Sequence, residues 1–409
     1  MDIARAIESE LTPGLPPVLV LEGARTSGKT YVARKRAQAG IWQGFESLAD
    51  PATYALAQHD LPGWLESLPA TCIIDEAQLL TDLPLHIKRL VDEPGARRHF
   101  LLTGSARIGR SGLGGSDPLT GRVRRWNLSP FSAAELGGNP GAMLTMVDRL
   151  FSGHISDTRN YPPADISRAI TQGGFPLIAL GEPSQRSSFQ WIRDMTLGLV
   201  TDNVLPSEKF DAATALRVLD GLLRNPGGIL NTASLSQRLD INARTVDRYL
   251  DILQRRFLLT FLPNLATNPT RQTRARSKVH AVDVAFAAES LVRSNPDTLN
   301  SPEKRGALFE TYVANQILAS VQFSPIPVYP YYWRHAKTAA EVDIVLVDTE
   351  GRMVGIEVKF SSQVSYDDAT GLRALTQEKN VVASYVIYPG DKVVRLDHKC
   401  WALPVTALS

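Results

Sequence analysis

The stretch that decides the fold is the octapeptide Gly23-Ala24-Arg25-Thr26-Ser27-Gly28-Lys29-Thr30. It fits the phosphate-binding pattern G-x-x-x-x-G-K-[ST], known as the P-loop. The apolar run before it, residues 17–22, predicts a buried strand, and residues 31–37 suit a helix. In this setting the N–H groups of the loop and of the helix N-terminus point at an anion, so all eight residues are predicted to bind the phosphates of a nucleotide. Lys29 is expected to contact the β- and γ-phosphates, and the Thr30 hydroxyl to bind Mg²⁺.

The composition is that of an ordinary globular protein. A chain of 409 residues has room for two to four domains, and the net charge of +2 indicates no nucleic-acid or membrane partner for the chain as a whole. Two distant cysteines, Cys72 and Cys400, favour a reducing compartment over a disulfide framework. Residues 1–8 carry acids and lack a signal-peptide core, and no apolar run approaches ~18 residues. We therefore expect a cytoplasmic protein without membrane contact.

A second apolar run, residues 70–74, ends in the acidic pair Asp75-Glu76, which is the Walker B pattern. Asp75 is predicted to hold Mg²⁺ through its water shell, and Glu76 to polarise the attacking water. Both carboxylates are needed at the carboxyl end of a strand, where the γ-phosphate lies. Apolar strands often end in acids by chance, but in a chain with a P-loop the pair indicates binding and slow hydrolysis of ATP with Mg²⁺.

Residues 98–102 predict a third buried strand, followed by Thr103 and Ser105. A polar side chain at this position senses the γ-phosphate in ATPases of this type, although a plain strand end explains either residue equally well. The next segment, residues 107–125, is predicted to be a glycine-rich loop with arginines at positions 107, 110, 122, 124 and 125. One arginine could stabilise charge on the transferred phosphoryl group, and the alternative is a solvated, flexible loop.

The remaining local predictions for this part are helical. Residues 1–16 are expected to form a lead-in helix and residues 41–70 a helical crossover. Residues 126–136 predict a strand, a turn and a helix that is capped by Ser132, with Glu135 three positions later.

These motifs in series, together with Gly121-Arg122 and residues 128–131, resemble a family of prokaryotic AAA-type ATPases. In that family the ATPase domain is joined to a C-terminal domain of unknown function. The resemblance implies a five-stranded parallel ATPase core over residues 1–150. It also implies that Arg122 is the phosphate-sensing or finger arginine, acting in cis or, in an oligomer, on a neighbouring subunit.

The middle part, residues 151–300, is predicted to be helical at first, with an amphipathic helix over residues 186–225 and a core stripe of Trp191, Ile192, Met195 and Leu199. Residues 172–176, Gln-Gly-Gly-Phe-Pro, are similar to a turn that the same family carries after its ATPase core. We expect a tight turn with positive φ and assign it no chemistry.

Residues 232–253 predict a helix-turn-helix, and residues 257–261 and 278–282 could pair as the strands of a wing. In this winged-helix interpretation, Arg244, Thr245 and Arg248 would face the DNA major groove, and the basic wing, with Arg274 and Arg276, would contact phosphates. The alternative is a winged helix that only packs domains together.

The last part, residues 301–409, combines a helix over 306–318 with strands over 331–334, 341–347 and 353–360, followed by closing strands near 385–388 and 402–405. Asp343, Glu357 and Lys359, with Glu310 on the helix, resemble the PD-(D/E)xK nuclease fold over residues 303–395. Asp343 and Glu357 would lie on the two strands of a hairpin and face one Mg²⁺.

In that hairpin Lys359 would lie near the attacking water, and Glu310 would complete the site. A cross-strand ion pair, or a nuclease fold that has lost its activity, explains the same residues. His335 is the histidine expected nearest the site, and no histidine pair has the spacing of zinc ligands.

The sequence thus predicts an α/β protein: a P-loop NTPase parallel sheet, a helical and winged-helix domain, and a restriction-endonuclease-like domain. Two functions remain open. One is a Mg²⁺-dependent ATPase that acts on DNA or is regulated by it, with ATP coupled to a C-terminal nuclease. The other is a nucleotide-gated DNA-binding or regulatory module with an inactive nuclease fold, for example in defence or a toxin–antitoxin system. An oligomer is possible in either case.

Overall fold

A five-stranded parallel sheet forms the core of the N-terminal part of the chain. Its strands are β1 (Val18–Glu22), β2 (Gly44–Ser47), β3 (Thr71–Asp75), β4 (His99–Gly104) and β5 (Val123–Asn127), in the order β2-β3-β4-β1-β5. All residues of β1 are buried, as are nearly all of β3 and β4, so their sequences are continuous apolar runs. Because the strands are parallel, the segments after β1, β3 and β4 meet at one edge of the sheet. The five parallel strands agree with what the family resemblance implied.

The computed structural model describes residues 2–95, 97–108, 117–153, 165–181, 184–201, 210–265, 276–335, 338 and 340–409. Contacts divide the chain into two compact units. One comprises residues 4–130 and 255–257, and the other contains most of the remaining described residues.

The helices of the first unit are α1 (Lys29–Gln38), α2 (Pro51–His59), α3 (Leu61–Ser67) and α4 (Leu83–Asp92). The predicted helical crossover over residues 41–70 is right for α2 and α3 but misses β2. That strand has only four half-buried residues without alternation, and it is a strand because it pairs with β3. The predicted lead-in helix is wrong: residues 6–10 form a single 3₁₀ turn, and three prolines at 13, 16 and 17 prevent a longer helix.

The second unit begins with a series of helices: α5 (Ala133–Leu136), α6 (Gly141–Ser152), α7 (Ile166–Gln172), α8 (Pro176–Ala179), α9 (Gln185–Thr201), α10 (Ala212–Leu223), α11 (Thr232–Leu239) and α12 (Ala243–Arg255). Ser132 caps α5 and forms the predicted capping box with Glu135. The single amphipathic helix predicted over residues 186–225 is two helices, because Asp211 starts α10 by accepting a hydrogen bond from Thr214 N. In the predicted stripe Ile192 and Leu199 are buried, whereas Trp191 and Met195 are half-buried.

A hairpin follows α12 and consists of β6 (Leu259–Leu262) and β7 (Lys278–Ala281), which pair antiparallel. A short third segment before α11 joins it, since Ile229 forms a bridge with Lys278 and Leu230 N donates to Ser277 O at 2.8 Å. The helices α13 (Val284–Ser294) and α14 (Pro302–Val321) then lead into the last sheet.

That sheet is mixed and has six strands: β8 (Val328–Arg334), β9 (Glu341–Asp348), β10 (Met353–Val358), β11 (Val381–Tyr388), β12 (Val394–Asp397) and β13 (Cys400–Pro404). Their order is β12-β13-β11-β10-β9-β8, and α15 (Thr370–Glu378) packs Leu372 and Leu375 into its core. Pro330 is the third residue of β8, and it is tolerated there because β8 is an edge strand of the sheet. The short strand β12, whose four residues are mostly exposed, was not predicted.

None of the helices in the described ranges combines the length and apolar character needed to cross a membrane.

Candidate functional site

The P-loop connects β1 to α1 through backbone conformations that its glycines permit. Gly28 caps α1 with a left-handed φ of +101°. Gly23 has a φ of +153°, and a side chain there would meet the carbonyl oxygen of Leu128 at 2.5 Å. Both positions therefore require glycine, and the loop wraps a space that faces the start of α1 as the motif predicts.

Lys29 lies in the first turn of α1 and is 5% exposed. Its Nζ donates to the carbonyl oxygens of Gly23 at 3.0 Å and Ala24 at 2.8 Å. Burial lowers the pKa of Lys29 to about 8, against the opposing charges of Glu76 and Asp75. An ammonium has three donors, so one remains for a phosphate while both carbonyl bonds persist.

Asp75 ends β3 and lies at the centre of a group of hydroxyls. It accepts hydrogen bonds from Thr30 Oγ1 at 3.0 Å and from Ser47 Oγ at 3.2 Å, and also from Thr103 Oγ1. The two predicted Mg²⁺ ligands are therefore in direct contact. A hydroxyl and a carboxylate are the hard oxygen donors that Mg²⁺ prefers, so these residues fit the ion that the motif implies.

Glu76 follows with a left-handed φ of +57°. Its Oε2 accepts hydrogen bonds from Ser105 Oγ at 3.3 Å and from Gln78 Nε2, which also donates to Ser105 Oγ at 3.2 Å. The structure thus brings both predicted sensor residues to the acidic pair: Thr103 contacts Asp75, and Ser105 contacts Glu76.

Arg122 does not lie where the predicted role in cis requires it. Its carbonyl accepts a hydrogen bond from Val18 N at the amino end of β1, and the P-loop begins after the carboxyl end of that strand. The five residues of β1 therefore separate Arg122 from the start of the P-loop by about 16 Å. The Arg122 side chain instead pairs with Asp92 at 2.5 Å. This position does not support the role in cis; the family motif identified the residue but not the end of the strand at which it lies.

Three contacts of this site were missed from the sequence. Arg5 is 6% exposed and donates to the P-loop carbonyl of Ser27 at 3.1 Å and to Ser129 O at 2.6 Å. Ser47 and Gln78 contact Asp75 and Glu76 as described above. Gln78 stands next to the Walker B pair and could have been proposed, but Arg5 and Ser47 reach the site only through the packing of distant segments.

A second group of charged residues lies in the C-terminal part of the chain. The side chains of Glu310 on α14 and of Glu341 and Asp343 on β9, which we call the carboxylate cluster, surround the ammonium of Lys278 on β7. Lys278 Nζ lies 2.9 Å from Glu310 Oε1, 2.8 Å from Glu341 Oε1 and 2.7 Å from Asp343 Oδ1. Burial opposes the charge of Lys278, but the three carboxylates raise its pKa above the ordinary value.

Glu357 and Lys359, the other two residues of the predicted nuclease site, pair with each other. Lys359 Nζ donates to Glu357 Oε1 at 2.9 Å, so the two side chains share a face as expected. The hairpin register, Ile344 opposite Ile356, places Glu357 across from Asp343. Burial raises the pKa of Glu357, and the negative charge of Asp343 adds to the effect.

The carboxylate cluster does not fit the metal site that the nuclease resemblance implies. A buried ammonium already stands between the acids, and no group of three His, Cys, Asp or Glu residues in the described part of the chain could hold a metal ion. The role of Asp343 and Glu357 as Mg²⁺ ligands is therefore not supported by the structure. Lys278, the first residue of the second predicted wing strand, is the member of this site that the sequence analysis missed.

The histidine prediction also needs correction. His335 pairs with Glu378 on α15 at 2.9 Å and not with the cluster. His280, on the same strand as Lys278, is fully buried and accepts from or donates to Thr311 Oγ1 at 3.2 Å. Burial and the charge of Lys278 lower the pKa of His280 to about 3, so its ring is neutral at pH 7.

The predicted DNA-contacting residues are distributed over α12 and the hairpin. Arg244 and Arg248 are exposed on α12, Thr245 is half-buried beside them, and Arg276 is exposed at the start of β7. Arg274, like Arg110 of the basic loop, lies outside the described residues. Two arginines therefore project from α12 as the groove-reading interpretation requires.

Three family models match successive parts of the chain. Residues 15–137 match the AAA domain, residues 163–297 match a domain of unknown function (DUF8612), and residues 305–408 match another (DUF4143). The first match confirms that an AAA-type P-loop domain forms the N-terminal part, and its fold supports binding and hydrolysis of ATP. The last agrees with the predicted C-terminal domain of unknown function.

Relatives and solved structures extend the comparison. An uncharacterized protein of Mycobacterium tuberculosis and one of Mycobacterium bovis are each 28% identical over 390 residues, which is 95% of this chain and 80% of theirs. The RuvB Holliday junction branch migration motor of Thermotoga maritima is similar at 19% identity and a TM-score of 0.29, with 67% of this chain and 87% of that chain covered.

Proposed function

We propose that the protein is a Mg²⁺-dependent ATPase, and that its nucleotide state controls a DNA-binding or regulatory part of the same chain. The observation that carries the ATPase proposal is the contact of Thr30 Oγ1 with Asp75 Oδ1 at 3.0 Å, beside a P-loop whose lysine is already in place. This contact joins the two motifs at the edge of the sheet where ATP hydrolysis takes place.

Each residue has a separate task in this proposal. The P-loop N–H groups and Lys29 hold the phosphates, while Thr30 and Asp75 would hold Mg²⁺, which neutralises phosphate charge when bound. Glu76 would orient the attacking water and accept its proton, and Ser105 and Gln78 keep its carboxylate in place. Thr103 would fix Asp75 from the opposite side.

Variants of the two motifs test the proposal. Lys29→Ala should abolish nucleotide binding, because the cation facing the phosphates is lost. Glu76→Gln should bind ATP normally but lower turnover by about 10²–10⁴-fold, the usual worth of a general base. Lys392→Ala, which removes an exposed lysine far along the sequence, is the matched control. Normal ATP affinity in Lys29→Ala, measured by calorimetric titration, would refute the assignment.

DNA is the partner that the middle of the chain favours. The order α10, the Ile229 bridge, α11, α12 and the hairpin β6–β7 is the order of elements in a winged helix, and Arg244 and Arg248 are exposed on its second helix. The two-stranded hairpin β6–β7, joined by the bridge between Ile229 and Lys278, supports the interpretation. We therefore propose that α12 contacts DNA and that the arginines bind mainly its phosphates.

The salt dependence of DNA binding measures those contacts. Replacing Arg244 and Arg248 together by alanine should reduce the slope of log affinity against log salt by about two, about one for each phosphate contact. Arg186→Ala combined with Arg395→Ala removes the same charge from exposed positions elsewhere and should leave the slope unchanged. Fluorescence anisotropy with a labelled duplex, with and without ATP, gives both the slope and any control by nucleotide. Equal slopes in all three proteins would rule out α12 as the DNA-binding surface.

Of the two functions left open by the sequence, the structure favours the one with an inactive nuclease fold. A nuclease would use Glu310, Asp343, Glu357 and Lys359 around a metal, but Lys278 pairs with two of these acids. Incubation with DNA and Mg²⁺ or Mn²⁺ should give no cleavage that depends on Asp343. Cleavage by the wild type that Asp343→Ala abolishes would support the coupled nuclease instead.

A further inference from the structure

The ammonium of Lys278 occupies the centre of the carboxylate cluster. It is 3% exposed and lies between 2.7 and 2.9 Å from one oxygen of each of Glu310, Glu341 and Asp343. It donates hydrogen bonds to Glu310 and Asp343 and forms an ion pair with Glu341. The cluster therefore contains its own cation, which comes from the chain itself.

Backbone contacts on both sides hold this cation in position. Lys278 begins β7, which pairs with β6 on one side and with Ile229 on the other. The turn before Ile229 lies against Glu310: Gly227 has a φ of +69°, and a side chain there would meet Glu310 Oε1 at 2.9 Å. The strand cannot shift without breaking these pairings.

Asp343, the central residue of the cluster, has a further contact, and Glu357 lies across the hairpin from it. Asp343 Oδ2 accepts a hydrogen bond from Val358 N at 2.9 Å, so both oxygens of the central aspartate are bonded within the chain. Glu357 Oε1 is bonded to Lys359, while its Oε2 is buried and has no hydrogen-bond partner in the described part of the chain. A divalent cation would need several of these oxygens at about 2.1 Å, where it would repel an ammonium bonded to the same groups.

We propose that Lys278 is the permanent cation of the carboxylate cluster, and that the cluster is a latent divalent-metal site that this lysine keeps closed. The hairpin thereby closes the site that the nuclease resemblance implies. Removing the ammonium leaves the carboxylates of Glu310, Glu341 and Asp343 without their shared cation, so that a divalent ion could draw them into the coordination that their present arrangement does not offer. The inference does not depend on the proposed ATP hydrolysis, because it concerns metal binding without nucleotide.

Electron paramagnetic resonance of Mn²⁺ titrated into the full chain without nucleotide tests the proposal. Wild type and Asp343→Asn should bind the same amount of Mn²⁺, and any ion bound at the P-loop cancels in this comparison. Lys278→Met, which removes the ammonium and keeps an unbranched side chain one atom shorter, should gain one bound Mn²⁺, and Lys278→Met combined with Asp343→Asn should lose it again. Mn²⁺ should stabilise Lys278→Met against urea more than it stabilises wild type or the double variant.

Two results would overturn the proposal: a Mn²⁺ ion that wild type binds and Asp343→Asn does not, or a folded Lys278→Met protein that gains none. Lys278→Met leaves buried carboxylates without a partner and could fail to fold, which circular dichroism would show. In that case the comparison of wild type with Asp343→Asn decides alone: equal Mn²⁺ binding supports Lys278 as the resident cation, and unequal binding contradicts it.

Discussion

The surroundings of Lys29 predict a measurable effect on nucleotide binding. Its pKa of about 8 lies below the ordinary value of 10.5, chiefly because the ammonium is buried. Phosphates favour the charged form, so binding raises this pKa. Below about pH 8 Lys29 is already protonated, and binding takes up few protons; above it a proton must be taken up with the nucleotide.

We therefore predict that ATP affinity falls as the pH rises above about 8, by up to about tenfold per pH unit. Calorimetric titration in buffers of different ionisation enthalpy should show proton uptake at about pH 9 and little at about pH 7. Lys29→Arg is the control, because a guanidinium does not titrate in this range and its affinity should stay level. An equally flat profile in the wild type would show that the pKa of Lys29 is not lowered.

The positions of Lys278 and Arg122 could not be predicted from the sequence. The P-loop and Walker B residues were found because their motifs are local in sequence and their side chains meet through one parallel sheet. Lys278 is 32 residues from Glu310 and 65 from Asp343, so no spacing rule connects them. Arg122 was named by a family motif, but only the register of β5 against β1 shows which edge of the sheet it occupies.

The turn between α7 and α8 was predicted to have a positive φ. In the structure it also contacts Asp283, the residue that caps α13. Gly173 has a φ of +65° and a ψ of −159°, a region open essentially to glycine alone. A side chain at Gly173 would meet Asp283 Oδ1 at 2.0 Å. Asp283 Oδ2 accepts from Gly174 N at 2.7 Å and Oδ1 from Ala285 N at 2.9 Å, so one buried carboxylate holds the turn and caps α13.

Gly173→Ala should therefore lower the free energy of unfolding by at least about 2 kcal/mol, from backbone strain and displacement of Asp283. Gly306→Ala is the matched control. Gly306 lies in the first turns of α14 with no atom within 4 Å of an added methyl group, so alanine should be neutral or stabilise by up to about 1 kcal/mol. Urea midpoints compare the two variants, and a similar small effect at both positions would show that the turn is not conformationally demanding.

Strands could be predicted from the sequence where an apolar pattern accompanies burial. They could not be predicted where hydrogen bonding to a neighbouring strand alone defines them. β1, β3, β4, β9 and β11 are buried on both faces and stand out as apolar runs. The short strands β2 and β12 have mixed, partly exposed residues and exist because a neighbouring strand completes their hydrogen bonds. Strands are present within one or two residues of both predicted wing positions, but no pattern in the sequence indicated that the first residue of β7 is buried among carboxylates.

The molecule as a whole combines a nucleotide site in one compact unit with the hairpin and the carboxylate cluster in the other. Ligand binding stabilises the unit that forms the site, so ATP should act on only part of the unfolding process. We predict two calorimetric transitions. A non-hydrolysable ATP analogue with Mg²⁺ at ~100 times its Kd should stabilise one of them by about 2.7 kcal/mol.

The two transitions can be assigned by variants that act on one unit each. Lys29→Ala should remove the response to the nucleotide without moving the other transition, and Gly173→Ala should lower only the transition that the nucleotide leaves unchanged. A single transition that both the nucleotide and Gly173→Ala shift would mean that the units unfold together. Nucleotide binding would then be energetically linked to the hairpin and to the cluster that Lys278 closes, and the stability of that cluster would depend on ATP.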